Sequence, residues 1–315
     1  MIYTVTINPS LDYVMYPTAL DVGFTNRSSR EEIRFGGKGV DVSFVLQQLG
    51  VPTVALAFTA GFTGDYFKKV LEEDGVVCDF IQLEEGFTRI NVKLNGGEYS
   101  GGVETIVNGM GPDISEAKMD ELRAKLNKLQ AGDTLVLTGS VPKSLPNNTY
   151  ELLMDEFSGR GIRFVVDATG DLLLSAVDNK PFLIKPNHHE LGALYDAHPQ
   201  TPEECLPYAH KLHDRGATNV IVSCGGRGSC LVDENGEEHI VPALPITLVN
   251  ATGAGDSMIA GFLAMVDKGQ SYADALLYAS ACGTATALTS GMARRDRIDE
   301  TVAKLKEFMA SQPQA

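Results

Sequence analysis

The segment 252–256, Thr-Gly-Ala-Gly-Asp, combines glycines with a single carboxylate at the predicted start of a helix. Glycines let the backbone approach a ligand, and the first N–H groups of a helix favour an anion, so Gly253, Ala254 and Gly255 predict a phosphate site. A carboxylate beside a bound phosphate is electrostatically unfavourable, so its presence there indicates a role in the reaction. Removing the proton from an attacking hydroxyl is such a role, and Asp256 is the candidate. The simpler alternative is an ordinary helix start with an acidic first turn.

Two common phosphate-binding motifs do not match this segment. A Rossmann fingerprint needs glycine or alanine where Met258 stands. A Walker P-loop needs Gly-Lys followed by serine or threonine, whereas the only Gly-Lys pair, at 37–38, is followed by Gly39. The segment 36–39 nevertheless opens a predicted helix with glycines and Lys38. It indicates a second anion site, and a solvated turn is the alternative.

Alternating apolar strands and helices must position these groups. Repeated strand–helix units predict a single α/β domain over 1–315, with a mainly parallel central sheet and helices on both faces. Ligands of such sheets bind at the carboxyl ends of the strands, so Asp12, just after the first strand, should meet the substrate. We also expect a short buried strand at 245–249 and a helix at 254–266.

Two sheet-like pieces, about 12–35 and 87–107, interrupt the strand–helix rhythm. Residues 88–93 alternate in polarity as a half-exposed strand should, and the glycines at 96–97 fit a hairpin turn. We expect both pieces to join into a small β-sheet lid over the cleft. An exposed sheet of this kind is compatible with a homodimer formed through the lid.

Composition excludes several classes of partner. The net charge of −15 argues against nucleic acid and anionic membranes, so a phosphorylated ligand needs a local cluster of cations and N–H groups. No apolar run reaches the length of a membrane span, and the N-terminus lacks the basic region of a signal peptide. The five cysteines are scattered without a C-x-x-C pair. These features predict a cytoplasmic protein with reduced thiols.

Several motifs, in the order in which they occur, resemble the ribokinase-like sugar kinases of the phosphofructokinase-B family across nearly the whole chain. The matching pieces are 8–12 (Asn-Pro-Ser-Leu-Asp), 36–39, 64–65, 139–142 (Gly-Ser-Val-Pro), 185–190 (Lys-Pro-Asn-His-His-Glu) and 250–256. The opening motif, residues 26–27, 88–93 and Gly-Ser-Val-Pro look like the phosphosugar kinase branch, which includes 1-phosphofructokinases and tagatose-6-phosphate kinases.

The resemblance implies an ATP- and Mg²⁺-dependent kinase of a ketohexose phosphate, most simply one that converts fructose 1-phosphate to fructose 1,6-bisphosphate. Tagatose 6-phosphate is the next candidate substrate. A neutral-sugar or nucleoside kinase is less favoured, because Arg27 and Arg89 suit a phosphorylated sugar. A non-catalytic sugar-binding sensor on the same fold is the alternative from a different class, and the intact motifs at 253–256 and 187–190 argue against it.

The resemblance also implies roles for individual residues. Asp256 is expected to be the general base, with the N–H groups of 252–255 stabilising the transferring phosphoryl. Residues expected to bind the sugar phosphate are Asp12, Arg27, Gly37, Lys38, Asp41, Arg89 and Ser140, with Arg27 able to serve a neighbouring subunit. Residues expected to bind ATP are Lys185, Asn187, Ser223, Gly225, Gly226, Gly228, Thr252, Gly253 and Gly255. Mg²⁺ is expected near Asn187 and Glu190, through water.

One position departs from the branch pattern. Phosphosugar kinases usually carry asparagine two residues after Gly-Gly-Lys-Gly, where this chain has Asp41. An ionised carboxylate accepts hydrogen bonds but donates none, and its charge opposes a nearby phosphate. We therefore expect Asp41 to affect which sugar is used, rather than the class of reaction.

Overall fold

The computed structural model describes residues 1–95 and 104–312. Its strands and helices largely alternate along the chain, as the apolar periodicity predicts. The strands are β1 (Ile2–Thr6), β2 (Ser10–Pro17), β3 (Ser28–Gly36), β4 (Thr53–Ala60), β5 (Ile81–Leu83), β6 (Arg89–Leu94), β7 (Thr105–Asn108), β8 (Thr134–Thr138), β9 (Arg163–Asp167), β10 (Leu183–Ile184), β11 (Asn219–Ser223), β12 (Ser229–Val232) and β13 (Glu238–Val241). The helices are α1 (Lys38–Gln48), α2 (Gly61–Glu73), α3 (Glu116–Leu126), α4 (Thr149–Glu156), α5 (Gly170–Val177), α6 (His188–Leu194), α7 (Pro202–Arg215), α8 (Ala254–Val266), α9 (Tyr272–Ala287) and α10 (Arg295–Ser311).

The larger sheet has nine strands in the order β13-β12-β11-β10-β9-β8-β1-β4-β5. The strands from β11 to β5 pair in parallel, and β12 pairs antiparallel with both β11 and β13. In β8, Leu135 and Leu137 belong to one apolar layer and Val136 to the other. Because both faces of this sheet are covered by helices, its central strands bury apolar side chains on both sides. The predicted α/β fold is therefore confirmed.

The smaller sheet has the order β3-β2-β6-β7. In β6, the polar side chains of Asn91 and Lys93 are buried, whereas Ile90 and Val92 are only half-buried. The predicted alternation is present, but the polar face is the more enclosed one because it faces the larger sheet across a cleft. The predicted hairpin turn at 96–97 lies outside the described residues.

The predicted strand at 245–249 is wrong. This segment pairs with no strand of the described sheets, and Leu248 and Val249 are 62% and 57% exposed. The Val249 N–H instead donates to the carbonyl of Ala287, at the end of α9. A short apolar run is compatible with a strand in sequence, but only an available sheet edge makes it one. The helix that follows has the predicted bounds, Ala254–Val266.

Candidate active site

A cleft of about 990 Å³ lies between the carboxyl ends of the central parallel strands and the polar face of the smaller sheet. Strand ends contribute Thr6, Ser140 and Asp167, and the smaller sheet contributes Asp12 and Arg89. The starts of α1 and α8 close the floor with the side chains of Lys38, Asp41 and Asp256. Asp12, Lys38 and Asp256, which are far apart in sequence, therefore share one cleft.

The start of α8 is shaped by Gly253. Its φ of +80° lies in the left-handed region, and a Cβ there would come within 2.3 Å of Met292 Sδ. Glycine is thus required both by the backbone conformation and by the neighbouring side chain. The Ser257 N–H donates to the Gly253 carbonyl at 2.9 Å and closes the first helical turn.

Some N–H groups of this turn already have acceptors. The Thr252 N–H donates to Asn250 Oδ1 at 3.1 Å, and the Ala254 N–H makes a long bond of 3.4 Å to the Ala251 carbonyl. Within the described ranges, no acceptor contacts the N–H groups of Gly253 and Gly255. These two N–H groups are therefore available to bind an anion.

Asp256 is 5% exposed, and its Oδ1 atom has no hydrogen-bond partner within the described part of the chain. Burial raises the pKa of Asp256 to about 7, and the negative charge of Asp167 adds to this, while Lys38 and Lys185 oppose it. A carboxyl group with a pKa near neutrality is suited to accept a proton from a hydroxyl. It can ionise at physiological pH, yet it remains more basic than an exposed aspartate.

Two lysines flank Asp167 beside Asp256. Lys38 Nζ donates to Asp167 Oδ2 at 2.9 Å, and Lys185 Nζ lies 4.0 Å from Asp167 Oδ1. Burial disfavours the charge of Asp167, but Lys185 and Lys38 outweigh it and lower the pKa of Asp167. Burial likewise opposes the charge of Lys38, but Asp167 and Asp256 raise its pKa. The cluster thus holds two cations next to the general-base candidate.

The smaller sheet builds the other side of the cleft. Asp12 is paired with Lys93 at 2.7 Å and accepts a hydrogen bond from Asn91 Nδ2 at 2.8 Å. Arg89 lines the same face, and its Nε is buried without a hydrogen-bond partner in the described ranges. Burial lowers the pKa of Arg89, although Asp12 opposes this. A guanidinium with an unused buried donor is suited to bind a phosphate.

Asp41 lies in the first turn of α1 and is 4% exposed. Burial raises its pKa well above the usual aspartate value, and the charges of Asp256 and Asp12 raise it further, against Lys93. The Asp41 and Asp256 carboxyl groups are within hydrogen-bonding range of each other. Asp41, the residue that departs from the branch pattern, thus contacts the general-base candidate Asp256 and also faces Asp12 and Lys93 of the smaller sheet.

The residues expected to bind ATP adjoin this cleft at the ends of β10 and β11. The Ser223 N–H donates to the Pro186 carbonyl at 3.2 Å, which joins the two segments. Added Cβ atoms at Gly225 and Gly226 would meet nothing within 4 Å, so the backbone here forms an open shelf. Lys185 links the shelf to α8, since its Nζ would lie 2.8 Å from a Cβ at Gly255.

Asn187 and Glu190 form a capping box at the start of α6. Asn187 Oδ1 accepts hydrogen bonds from the N–H groups of His189 and Glu190, each at 2.9 Å, and Glu190 Oε2 accepts from the Asn187 N–H at 2.9 Å. Two of the side-chain oxygens expected near a metal therefore already have structural partners. Glu190 also lines the cleft.

The remaining sugar-site candidates are placed differently. Gly37 and Ser140 line the cleft, at the start of α1 and after β8. Tyr150 holds the turn before Ser140 by donating to the carbonyls of Thr138 and Gly139 at 2.7 and 3.0 Å. Arg27, by contrast, is exposed between β2 and β3 and does not line the cleft of its own chain.

Two buried charged residues of the cleft, Asp167 and Lys93, were missed from the sequence. Asp167 ends a predicted strand, and an acidic residue at the carboxyl end of a parallel strand is a signal that could have identified it. Lys93 lies on the polar side of a strand interpreted as half-exposed. Alternation shows that a strand has two faces, but not which of them is enclosed.

The comparisons with known proteins agree with this geometry. Residues 6–297 match the model of the pfkB family carbohydrate kinases. A 1-phosphofructokinase of Bacillus subtilis (strain 168) is 40% identical over 97% of this chain and 99% of its own length. A D-tagatose-1-phosphate kinase of Bacillus licheniformis is 34% identical over 97% and 99%, respectively.

Phosphofructokinase-2 from Escherichia coli, solved in complex with fructose-6-phosphate, is 25% identical and superposes with a TM-score of 0.88. The superposition covers 97% of this chain and 99% of that one, so the ribokinase-like fold extends over both. The expected family and enzyme class are confirmed. The chain belongs to the pfkB family of carbohydrate kinases and is an ATP-dependent sugar kinase.

Proposed function

We propose that this protein transfers the γ-phosphoryl group of ATP to the free primary hydroxyl of fructose 1-phosphate and forms fructose 1,6-bisphosphate. The observation that carries the proposal is the joint placement of Asp256, Gly253 with its free N–H group, and Arg89 in one cleft. The name of the Bacillus subtilis relative supports the choice of sugar phosphate.

The start of α8 supplies the chemistry of the transfer. Asp256 takes the proton as the sugar hydroxyl oxygen bonds to the γ-phosphorus, while the bond from that phosphorus to the bridging oxygen of ADP breaks. The N–H groups of Gly253 and Gly255 stabilise the charge on the transferring phosphoryl. Lys38 and Lys185 lie beside Asp256 and Asp167, so their charges act at this end of the cleft.

The smaller sheet determines how the sugar lies. Asp12 has one carboxylate oxygen paired with Lys93 and the other held by Asn91, which fixes its orientation toward sugar hydroxyls. Arg89 grips the phosphate that is not transferred. This arrangement places the phosphate of the substrate at the small sheet and the reacting hydroxyl at Asp256.

The nucleotide and its metal occupy the adjoining shelf in this proposal. Lys185, Asn187, Ser223, Gly225, Gly226, Gly228 and Thr252 line the nucleotide. Glu190, with Asn187, would hold Mg²⁺ through water, because the capping box leaves Glu190 only its Oε1 oxygen and Mg²⁺ usually keeps several waters. When bound, the ion supplies positive charge that neutralises the phosphate oxygens.

D-Tagatose 1-phosphate is the second candidate substrate, because a kinase of that sugar is 34% identical over nearly the whole chain. Tagatose 6-phosphate would need its phosphate at the opposite end of the sugar. A sensor without catalysis, the alternative from another class, would bind these ligands without turnover.

An ADP-release assay tests these alternatives. Purified protein with ATP and Mg²⁺ would be offered the 1-phosphates and 6-phosphates of fructose and tagatose, and free fructose as the unphosphorylated control. We expect the highest kcat/KM with fructose 1-phosphate, and an Arg89→Ala variant should lose the preference for it over free fructose. Thermal stabilisation by these sugars without ADP formation would instead support the sensor.

We further propose that residues 1–315 form one ribokinase-like domain whose lid is built from about 12–35 and 87–107, the described part of which forms the smaller sheet. The outer face of this smaller sheet, which points away from the cleft, is apolar. A groove of about 610 Å³ there is lined by Leu11, Tyr13, Ile33, Phe62, Thr63, Tyr66 and Ile90. Phe62 is 76% exposed there. An exposed apolar groove on a sheet supports a homodimer in which a second copy covers this face.

Sedimentation analysis tests the dimer. Phe62→Asp should yield monomers, whereas Val77→Asp, at a site 59% exposed and outside the groove, should not.

In such a dimer, exposed Arg27 would reach the cleft of the partner subunit. Mixing Asp256→Asn chains with Arg27→Ala chains should restore activity, because one site of each mixed dimer contains both native residues; no restoration would leave Arg27 outside the site.

A cytoplasmic location is also proposed. All five cysteines are free, and the Sγ atoms of Cys205 and Cys224 lie 3.6 Å apart without a bond, which favours a reducing compartment. Within the described residues, no helix is long and apolar enough to cross a bilayer. The acidic net charge of −15 gives no support to a nucleic-acid partner.

A further inference from the structure

Asp41 and Asp256 face each other across the floor of the cleft. α1 packs directly against α8, and both carboxyl groups line the cleft within hydrogen-bonding range of each other. Asp41 is 4% exposed and Asp256 is 5% exposed, and the Oδ1 atom of each lacks a hydrogen-bond partner in the described ranges. Two buried carboxyl groups in contact are seldom both ionised, because like charges at this separation repel strongly.

Two lysines of the cleft are already paired with other carboxylates. Lys93 pairs with Asp12 at 2.7 Å, and Lys38 pairs with Asp167 at 2.9 Å. No lysine or arginine of the described chain lies at salt-bridge distance from Asp41. A proton is therefore the remaining means of neutralising that carboxyl group.

The surroundings decide which member of the pair carries the proton. Asp41 faces Asp256 from α8, Asp12 from β2 and Lys93 from β6. β4 and β8, on which α1 also packs, carry no ionisable residue, and Tyr3 of β1 interacts with Asp133 instead. Asp256 faces Asp167 but also two cations, Lys38 and Lys185, which favour its ionised form.

We propose that Asp41 is a neutral carboxylic acid that donates a hydrogen bond to the Asp256 carboxylate and so positions the general base. This inference rests on the proposed function for its catalytic meaning, but not for the protonation itself. A neutral Asp41 can donate this hydrogen bond as the asparagine of related phosphosugar kinases could, since both side chains are uncharged and carry a hydrogen-bond donor. It also adds no negative charge where a phosphorylated sugar must bind.

The pair contains one proton before the reaction and two after it. The O–H bond of the sugar breaks, its proton goes to Asp256, and the sugar oxygen bonds to phosphorus as the ADP oxygen leaves. Asp41 keeps its proton throughout and acts only through Asp256. The pair returns one proton to solvent when the products depart.

The pH dependence of kcat/KM distinguishes a neutral Asp41 that donates a hydrogen bond from an ionised Asp41. Asp41→Asn keeps a donor, so the midpoint of the acid limb should stay near that of the native enzyme. Asp41→Ala lacks the donor and should move the midpoint up by about one pH unit, with roughly tenfold lower kcat/KM near neutrality. If Asp41 is ionised, removing its charge moves the midpoint downward in both variants, which would overturn the proposal.

Infrared spectroscopy of the ligand-free protein tests the proton without any turnover. At about pH 8, one unit above the pKa of about 7 of Asp256, the native-minus-Asp41→Asn difference spectrum should contain the C=O band of a neutral carboxylic acid. Asp65→Asn, at an exposed position outside the cleft, should give carboxylate bands only. A missing acid band refutes the proposal even if fructose 1-phosphate is phosphorylated, and a present band supports it even if that sugar is not the substrate.

Discussion

Replacing Asp256 by asparagine should remove activity and stabilise the fold at the same time. The pKa of Asp256 is raised from 3.8 to about 7, mainly because burial opposes its charge. Between these two values the folded state holds a proton that the unfolded state has released, so stability falls as pH rises through this window. A shift of about three units corresponds to at most about 4 kcal/mol of destabilisation at pH 8, and to somewhat over a third of that at pH 5. Asparagine has no charge to bury and avoids this cost.

The assay is thermal and urea unfolding of both proteins from pH 5 to pH 8, with turnover measured on the same samples. We expect the variant to unfold at higher temperature, with an advantage that grows toward pH 8 and corresponds to several degrees. Turnover should fall about 10²- to 10⁴-fold, while the sugar phosphate still binds. Equal or lower stability of the variant at every pH would refute the claim that Asp256 is held at an energetic cost. Near-native kcat would remove it from the role of general base.

Three further predictions concern the rest of the cleft. Arg89→Lys should raise the KM for the sugar phosphate about tenfold or more while changing kcat less, because an ammonium cannot replace a bidentate guanidinium; equal KM values would exclude the contact. Asp167→Asn should destabilise the protein by roughly 3 kcal/mol, measured by urea unfolding, since buried Lys185 and partly exposed Lys38 lose their carboxylate, and unchanged stability would contradict this. Gly253→Ala should lower both stability and kcat because its Cβ meets Met292 Sδ, whereas Gly269→Ala, at a φ of +68° with open space, isolates the backbone cost of about 1–2 kcal/mol. Equal losses in the two glycine variants would exclude a role for the Met292 contact.

The sequence alone was sufficient for the local parts of the site. The helix at 254–266, the glycines before it and the acid at 256 follow from spacing and residue type, and their structure depends on near neighbours in the chain. The rule that ligands meet the carboxyl ends of parallel strands also predicted that Asp12 would reach the cleft. Asp12 does line the cleft, but it does so from β2 of the smaller sheet and not from a strand end of the larger one.

Tertiary structure decided which charges meet. The strand order brings Asp167, Lys38 and Asp256 together from three distant segments, and no periodicity along the chain encodes that meeting. Tertiary structure also decided that the polar face of β6 is enclosed, because that face lies opposite the larger sheet. It decided that residues 245–249 are not a strand, because no sheet edge is available to pair with them. The proposed neutral state of Asp41 is the clearest case, because it follows from burial against Asp256 and from lysines that pair with other carboxylates, and these are properties of the folded cleft.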